Sequence, residues 1–410
     1  MAQDYVGSNN LNLLVPSGQF GTRIAGGKDA ASPRYIFTHL SKVARILFPE
    51  IDDELLTYNE DDGQSIEPFY YCPIIPLLVV NGSQGIGTGW STNIPSFNIH
   101  DVVQYIYCKL NEDSDLPSIS PWVKGFTGSL ELNGSSGYKS IGKAKKASST
   151  SVIVSELPVG KWTNDYKEHL LKMRSRGEIQ SFTENHTTTK VSFTIQTNRA
   201  QLQRWRKSGL TKALKLETNV PTSNMNAFDE NGVICKFDCP ESIVDAYYPI
   251  RLGLYHDRKS LLECTREHSA ITSRNKAKFI EAVVDGKIDL ARGTRSKDDT
   301  VLLLEELEFT PMSKLQEIQS SWGNKKGLQV DRTITDNSVF DEVNSINHQK
   351  EFDYLLNMPL SSLTSEKISD LRNEANKMDS ELDEVRQTSA EDLWRQDLEK
   401  LENYLKAQSY

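Results

Sequence analysis

Asp238-Cys239-Pro240-Glu241-Ser242-Ile243-Val244 opens the stretch whose reading decides the fold. Proline suits the first position of a helix, where its missing N–H is not needed, and Asp238 stands where a cap is expected. The helical pattern then runs to about Val284, where Asp285-Gly286 ends it. A second long helix is predicted by Ile368, Leu371, Ala375, Met378, Leu382 and Val385, which alternate by three and four and make a heptad seam. Two long helices separated by shorter elements predict an antiparallel coiled-coil stalk with a small head. An ordinary amphipathic bundle is the competing reading.

Upstream, residues 120 to 220 read as a mixed α/β domain, with strands at Val152 to Val154 and Val191 to Ile195 and a helix over 161–174 after Pro158-Val159-Gly160. Gly134-Ser135-Ser136-Gly137 and Ala147 to Ser151 are expected to be exposed loops. Tyr70 to Val80 is a dense apolar run read as a buried strand entering the glycine loop of Gly82, Gly85, Gly87 and Gly89. That loop has neither the Walker pattern nor the dinucleotide spacing. Nearer the start, Ile36, Leu40, Val43 and Leu47 fall on one helical face, with Ser32-Pro33 as one way to begin the helix. Thr38 is the other cap, and Arg34 to Phe37 would then be a short strand feeding it.

A chain of 410 residues is too long for one core and suggests two to four domains. Mean hydropathy is −0.50, no apolar run approaches the length of a membrane helix, and the start lacks a signal peptide's pattern, so an intracellular protein without a membrane partner is expected. Five cysteines without a disulfide-like spacing fit a reducing compartment. The net charge of −9 conceals a sharp division. Residues 1–137 carry 7 basic and 15 acidic side chains, 138–220 carry 16 and 6, and 221–410 carry 24 and 35. A +10 block inside an acidic chain is a phosphate-binding surface or a solvated face.

Lys28 to Phe37, Lys-Asp-Ala-Ala-Ser-Pro-Arg-Tyr-Ile-Phe, sets Arg34 directly before Tyr35 after a glycine-rich run. A phenol is a poor nucleophile at neutral pH, and a guanidinium can stabilise the phosphoryl oxygens it attacks. Taken alone, the pair reads rather as a half-buried tyrosine beside a solvated arginine, since such a dipeptide occurs by chance in most long sequences. Ile86, between glycines, is either an apolar wedge able to enter a base step or a core residue under a turn. Lys28, Lys212, Lys215 and the cluster Arg199, Arg204, Arg206 and Lys207 are candidates for sequence-independent phosphate contact. Trp162 either touches nucleic acid or packs inside its domain. The pairs Asp52-Asp53, Asp61-Asp62 and Asp298-Asp299 read as solvated loops rather than magnesium ligands. Cys235, Cys239, Cys264 and His268 lack the spacing of a zinc module, His39 reads as a helix-surface residue, and no hydrolase triad is present.

Several stretches together strongly resemble the DNA breakage and rejoining region of eukaryotic type IIA DNA topoisomerases. They are Met1 to Arg23, Gly26-Gly27-Lys28-Asp29 with Arg34-Tyr35, Val80 to Thr92, Glu156-Leu157-Pro158, Lys161-Trp162-Thr163, Arg251 to Tyr255, Phe352 to Leu360 and Asp392-Leu393-Trp394, so the likeness spans essentially the whole chain. It implies that Tyr35, aided by Arg34, forms a 5′-phosphotyrosyl link to double-stranded DNA. Ile86 matches the family's intercalating isoleucine, although Ser83-Gln84 stands where the family usually has Ala-Glu. The stretches around Trp162 and Lys212 to Thr218 would lie along the DNA groove, and Phe352 to Leu360 would form the homodimer's exit gate. The implied fold is α+β and multidomain. It comprises a truncated winged-helix-type domain with the start of a tower (1–110), a mixed α/β tower domain (111–238) and a coiled coil with a small helical head (239–410). The complete enzyme would be nuclear and would use ATP and Mg²⁺, both bound outside this chain, so the chain alone is expected to be inactive. The alternatives are a non-catalytic DNA-binding and dimerisation protein, and a coiled-coil scaffold unrelated to DNA.

Overall fold

In the computed structural model, which describes residues 1–134, 137–288, 297–325, 350–359 and 365–408, the start of the chain is held by two asparagines. Asn10 is buried, and its amide donates to the carbonyl oxygens of Val80 and Trp122 at 2.8 and 2.9 Å while its oxygen accepts from Lys124 N. Asn81 answers it, accepting from Leu11 N and donating to Leu11 O. Buried amides must have all their hydrogen-bonding groups met. These two therefore fix the amino-terminal segment against the helix Leu77–Asn81.

The described residues form two compact units, Met1–Leu252 with Trp394–Tyr410, and Gly253–Leu393. Six small sheets, all with antiparallel pairing, are formed among the described residues. The largest, in the first unit, orders Ser181–Glu184, Phe193–Gln196, Ser151–Glu156 and Lys143–Lys146. Its strand Ser151–Glu156 alternates as the pleat requires, sending Val152, Val154 and Glu156 inward. The helix Thr163–Ser175 adds Tyr166, Leu170 and Met173 to the same core at spacings of four and three, and Leu202 and Trp205 complete it from Arg199–Ser208. Glu156 is a carboxylate on the buried face of its strand. It is tolerated because Arg23 pairs with it, and Thr127 N, Thr127 Oγ1 and Leu157 N donate to it.

Helix Pro240–Val284 begins and ends where proline and Asp285-Gly286 predict. Within the second unit it lies antiparallel to Ser365–Gln387. Arg266 meets Glu381, Arg274 meets Asp379, and Arg372 meets Glu281, so rising numbers on one helix face falling numbers on the other. Ala277, Ile280 and Leu371 are buried between them. The head packs Phe279, Leu304, Phe309, Phe352 and Leu355, and the Tyr354 hydroxyl donates to Thr310 O at 2.7 Å. Helix Ala390–Ala407 spaces Trp394, Leu398, Leu401 and Leu405 by four, three and four. Trp394, fully buried in the first unit, donates Nε1 to Ile74 O and stacks on Tyr248.

Several expectations are corrected. Residues 36–47 do not form one helix. Pro33–Tyr35 is a 3₁₀ turn, Phe37–Leu40 is a strand paired with Leu14–Ser17, and only Ala44–Leu47 is helical. The pairing supplies backbone partners that the helical spacing of Ile36 and Leu40 could not outweigh, and His39 is thus an exposed strand residue. Tyr70 to Val80 is not a strand. Pro76 starts a helical turn, with Val79 N and Val80 N bonded to its carbonyl. Asp52 is no solvated loop residue but lies buried against Arg251, 2.7 Å away. Ser135 and Ser136 of the predicted loop, and Leu360 of the predicted gate segment, lie outside the described residues.

Candidate active site and nucleic-acid interface

Ser32 is extended and Pro33 fixes φ at the next position, so the chain turns tightly. Tyr35 N bonds Ser32 O at 3.0 Å, after which Ile36 is extended again. A three-residue turn followed by a strand buries nothing. Tyr35 is therefore 71% exposed, with the Arg34 guanidinium 5.6 Å from its ring centre. Phenol and guanidinium share one open face, which is what attack on a phosphate diester would require.

The loop before this turn is closed on itself. Asp29 accepts from Thr22 N at 2.9 Å and from Thr22 Oγ1 at 2.5 Å, and Ala31 N donates to Gln19 O. Lys28 lies exposed on that loop. Gly26, at φ +63°, lies flat against Trp162, where a Cβ would come within 2.3 Å of the indole. Trp162 also meets Tyr5 edge-on at 5.7 Å. Thr163 N and Asn164 N donate to Arg23 O and Ile24 O, fastening the loop to the start of helix Thr163–Ser175. Trp162 is thus half-buried and locks this loop in place.

Its neighbour Lys161 reaches the other way. Lys161 Nζ donates to Lys215 O at 2.8 Å, holding a residue whose φ is +52°. Burial, and then the nearby Lys215 charge, lower the pKa of Lys161. Leu216 N bonds Thr211 O at 2.7 Å, and Glu217 pairs with Lys139 and accepts from Thr211, interactions that hold its carboxyl below the usual range. Lys212 and Lys215 are left exposed on this braced turn. Lys28, Trp162, Lys212 and Lys215, scattered in sequence, are thereby connected through Gly26 on one side and Lys161 on the other.

Ile86 stands on a hairpin of its own, Ser83–Ile86 paired with Ser91–Ile94. Its base is rigid: Gly82, at φ +70°, allows Ile94 O to approach a distance at which any Cβ would clash, and Asn93 N bonds Asn224 O. At the tip Ile86 is 93% exposed and Trp90, across the turn, is 56% exposed. An apolar residue so placed is not a core residue under a turn.

Trp90 and Lys161, although inside stretches quoted from the sequence, were given no role there, and the buried pairings Arg23–Glu156 and Asp52–Arg251 were not foreseen. Glu156 was detectable, because it continues the inward alternation of Val152 and Val154; Asp52 and Arg251, 199 positions apart, left no local signal. Among the described residues no group of three His, Cys, Asp or Glu could hold a metal ion, so the acidic groups present do not fit a magnesium site. No disulfide is formed among the five cysteines. No described helix is long and apolar enough to cross a membrane.

Residues 1–399 match the family model for the A subunit of DNA gyrase/topoisomerase IV. The chain belongs to this family of type IIA DNA topoisomerases. Within the family it is 39% identical to DNA topoisomerase 2 of Arabidopsis thaliana over 99% of its own length and 28% of that protein. It is 37% identical to DNA topoisomerase 2-alpha of Homo sapiens over 97% of itself and 26% of that protein. The chain thus spans about a quarter of these topoisomerases. A crystal structure of the Plasmodium falciparum topoisomerase II DNA-binding, cleavage and re-ligation domain superposes with a TM-score of 0.84 at 36% identity, covering all of this chain and 54% of that one.

Proposed function

We propose that this chain is the DNA breakage and rejoining segment of a nuclear, homodimeric type IIA topoisomerase. The observation that carries the reading is the exposed Tyr35 phenol on a three-residue turn, with the Arg34 guanidinium on the same face. Tyr35 Oη attacks the phosphorus of a duplex strand, its proton leaves, and a 3′-hydroxyl is released while a 5′-phosphotyrosyl ester forms. The reverse attack by that hydroxyl reseals the strand, because the ester conserves the bond energy. Arg34 offers paired donors to the phosphoryl oxygens as charge builds on them. Ile86 enters a base step and bends the duplex, and Lys28, Lys212 and Lys215 hold backbone phosphates without choosing sequence. Two copies, meeting through the segment around Phe352, make the double-strand break through which a second duplex passes. The complete enzyme would draw on Mg²⁺ to support cleavage and on ATP to drive strand passage.

The decisive experiment combines the purified chain with a topoisomerase 2 polypeptide containing the metal-binding domain, adds Mg²⁺ and end-labelled duplex, and traps covalent adduct with detergent. Wild type should transfer label to protein through a 5′ phosphate, and Tyr35→Phe should transfer none. Arg34→Lys, which keeps the charge but loses the planar fork, should reduce the adduct about 100-fold. An adduct that survives Tyr35→Phe overturns the assignment.

A further inference from the structure

The first unit contains a cavity of about 910 Å³ that the tyrosine chemistry does not use. Three stretches wall it: Phe69 to Leu78, the hairpin Met225–Phe228 with Ile234–Phe237, and the face of helix Pro240–Val284 that carries Ile243, Tyr247 and Ile250. Its volume lies within the range of sites that enclose drug-sized ligands.

The lining is aromatic to an unusual degree and carries charge of one sign. Phe69, Tyr71 and Phe228 line it yet each exposes more than half of its surface, a cost that a folded chain normally avoids without a ligand. Phe48 meets Tyr71 edge-on at 5.9 Å, and the Tyr247 hydroxyl donates to Pro73 O, so these rings are held in place. The Cys72 thiol is pushed up by burial, which leaves it neutral and unreactive. None of the lining residues is lysine or arginine. Two are carboxylates, Asp229 and Glu230, at the turn of the hairpin. Asp229 Oδ1 accepts from Asn231 N and Val233 N, which fixes that turn.

Aromatic faces and two carboxylates, with no lysine or arginine among the lining residues, complement a flat, positively charged molecule, whose ring stacks on the former while its cation meets the latter. We propose that this cavity binds a small planar aromatic cation. Neither Arg34 nor Tyr35 lines this site, and its occupancy does not depend on strand cleavage.

The full chain, free of DNA, is titrated with proflavine, a planar aminoacridinium, by fluorescence and calorimetry. One saturable site is expected. The apolar anion 1-anilinonaphthalene-8-sulfonate should bind at least tenfold more weakly. Glu230→Gln should weaken proflavine roughly fivefold, and Phe228→Ala about tenfold. Tyr35→Phe should leave its affinity unchanged, which separates this site from the proposed catalytic chemistry. Circular dichroism checks each fold; should Phe228→Ala misfold, Glu230→Gln and the exposed Phe69→Ala carry the test. Equal affinity in all variants, or tighter binding of the anion, overturns the proposal. So does light scattering that shows self-association lost on Phe228→Ala, since a second copy would then be the occupant.

Discussion

Gly26 sets the position of the loop that carries Lys28. Its φ of +63° already disfavours any side chain, and a Cβ there would sit 2.3 Å from the Trp162 indole. Gly26→Ala should therefore destabilise the first unit by about 2 kcal/mol, measured by urea unfolding, because neither the ring nor the backbone can yield without breaking the Arg23 and Ile24 contacts. The same change should raise the protease sensitivity of the 19–31 loop. A loss below about 0.5 kcal/mol would mean that the indole moves freely and that Trp162 is not the lock described.

At the scale of elements, helix Thr163–Ser175 carries a titrating weakness. His169 sits with its Nε2 buried and unpartnered, and burial, followed by the charges of Lys161, Lys215, Arg176 and Lys172, lowers its pKa from 6.5 to about 4. The unfolded chain takes up the proton near 6.5 and the folded chain only near 4. Stability is therefore intact above pH 6.5 and declines as pH falls through that window. His169→Gln should flatten this decline in urea midpoints recorded from about pH 7 to 4.5, and an unchanged slope would refute the assignment. The antiparallel helix pair of the second unit makes a different prediction. Leu371→Ala should cost about 3 kcal/mol of stability by guanidinium unfolding, whereas Arg274→Ala, which removes an exposed pair with Asp379, should cost less than about 1 kcal/mol and nothing at high salt. That pair was fully legible in the sequence, since a three-four alternation and a Pro240 to Gly286 punctuation are local signals. The strand Phe37–Leu40 was not, because the partner that makes it a strand begins 23 residues earlier, at Leu14. The adjacency of Arg34 and Tyr35 was plain in the sequence but the 3₁₀ turn that leaves the phenol exposed was not, and the tie from Lys161 to the Lys215 carbonyl depends on a left-handed backbone angle that only the structure displays.

For the whole molecule, charge segregation becomes a testable surface. The +10 block of residues 138–220 folds mainly into the four-stranded sheet, its helices and the Lys212–Lys215 turn, inside a chain of net charge −9. Duplex affinity should fall steeply with salt, and Lys212→Ala with Lys215→Ala should reduce the slope of log affinity against log salt by about 2. A parallel shift without a change in slope would place the phosphate contacts elsewhere. One further consequence comes from the hairpin that carries Ile86. Trp90 is 56% exposed across its turn, whereas Trp205 and Trp394 are buried. The protein therefore carries a built-in dye beside the proposed wedge, and titration with duplex should quench or blue-shift indole emission in wild type, a change that Trp90→Phe should largely lose. That colour change would time the entry of the wedge into DNA without any label attached to either partner.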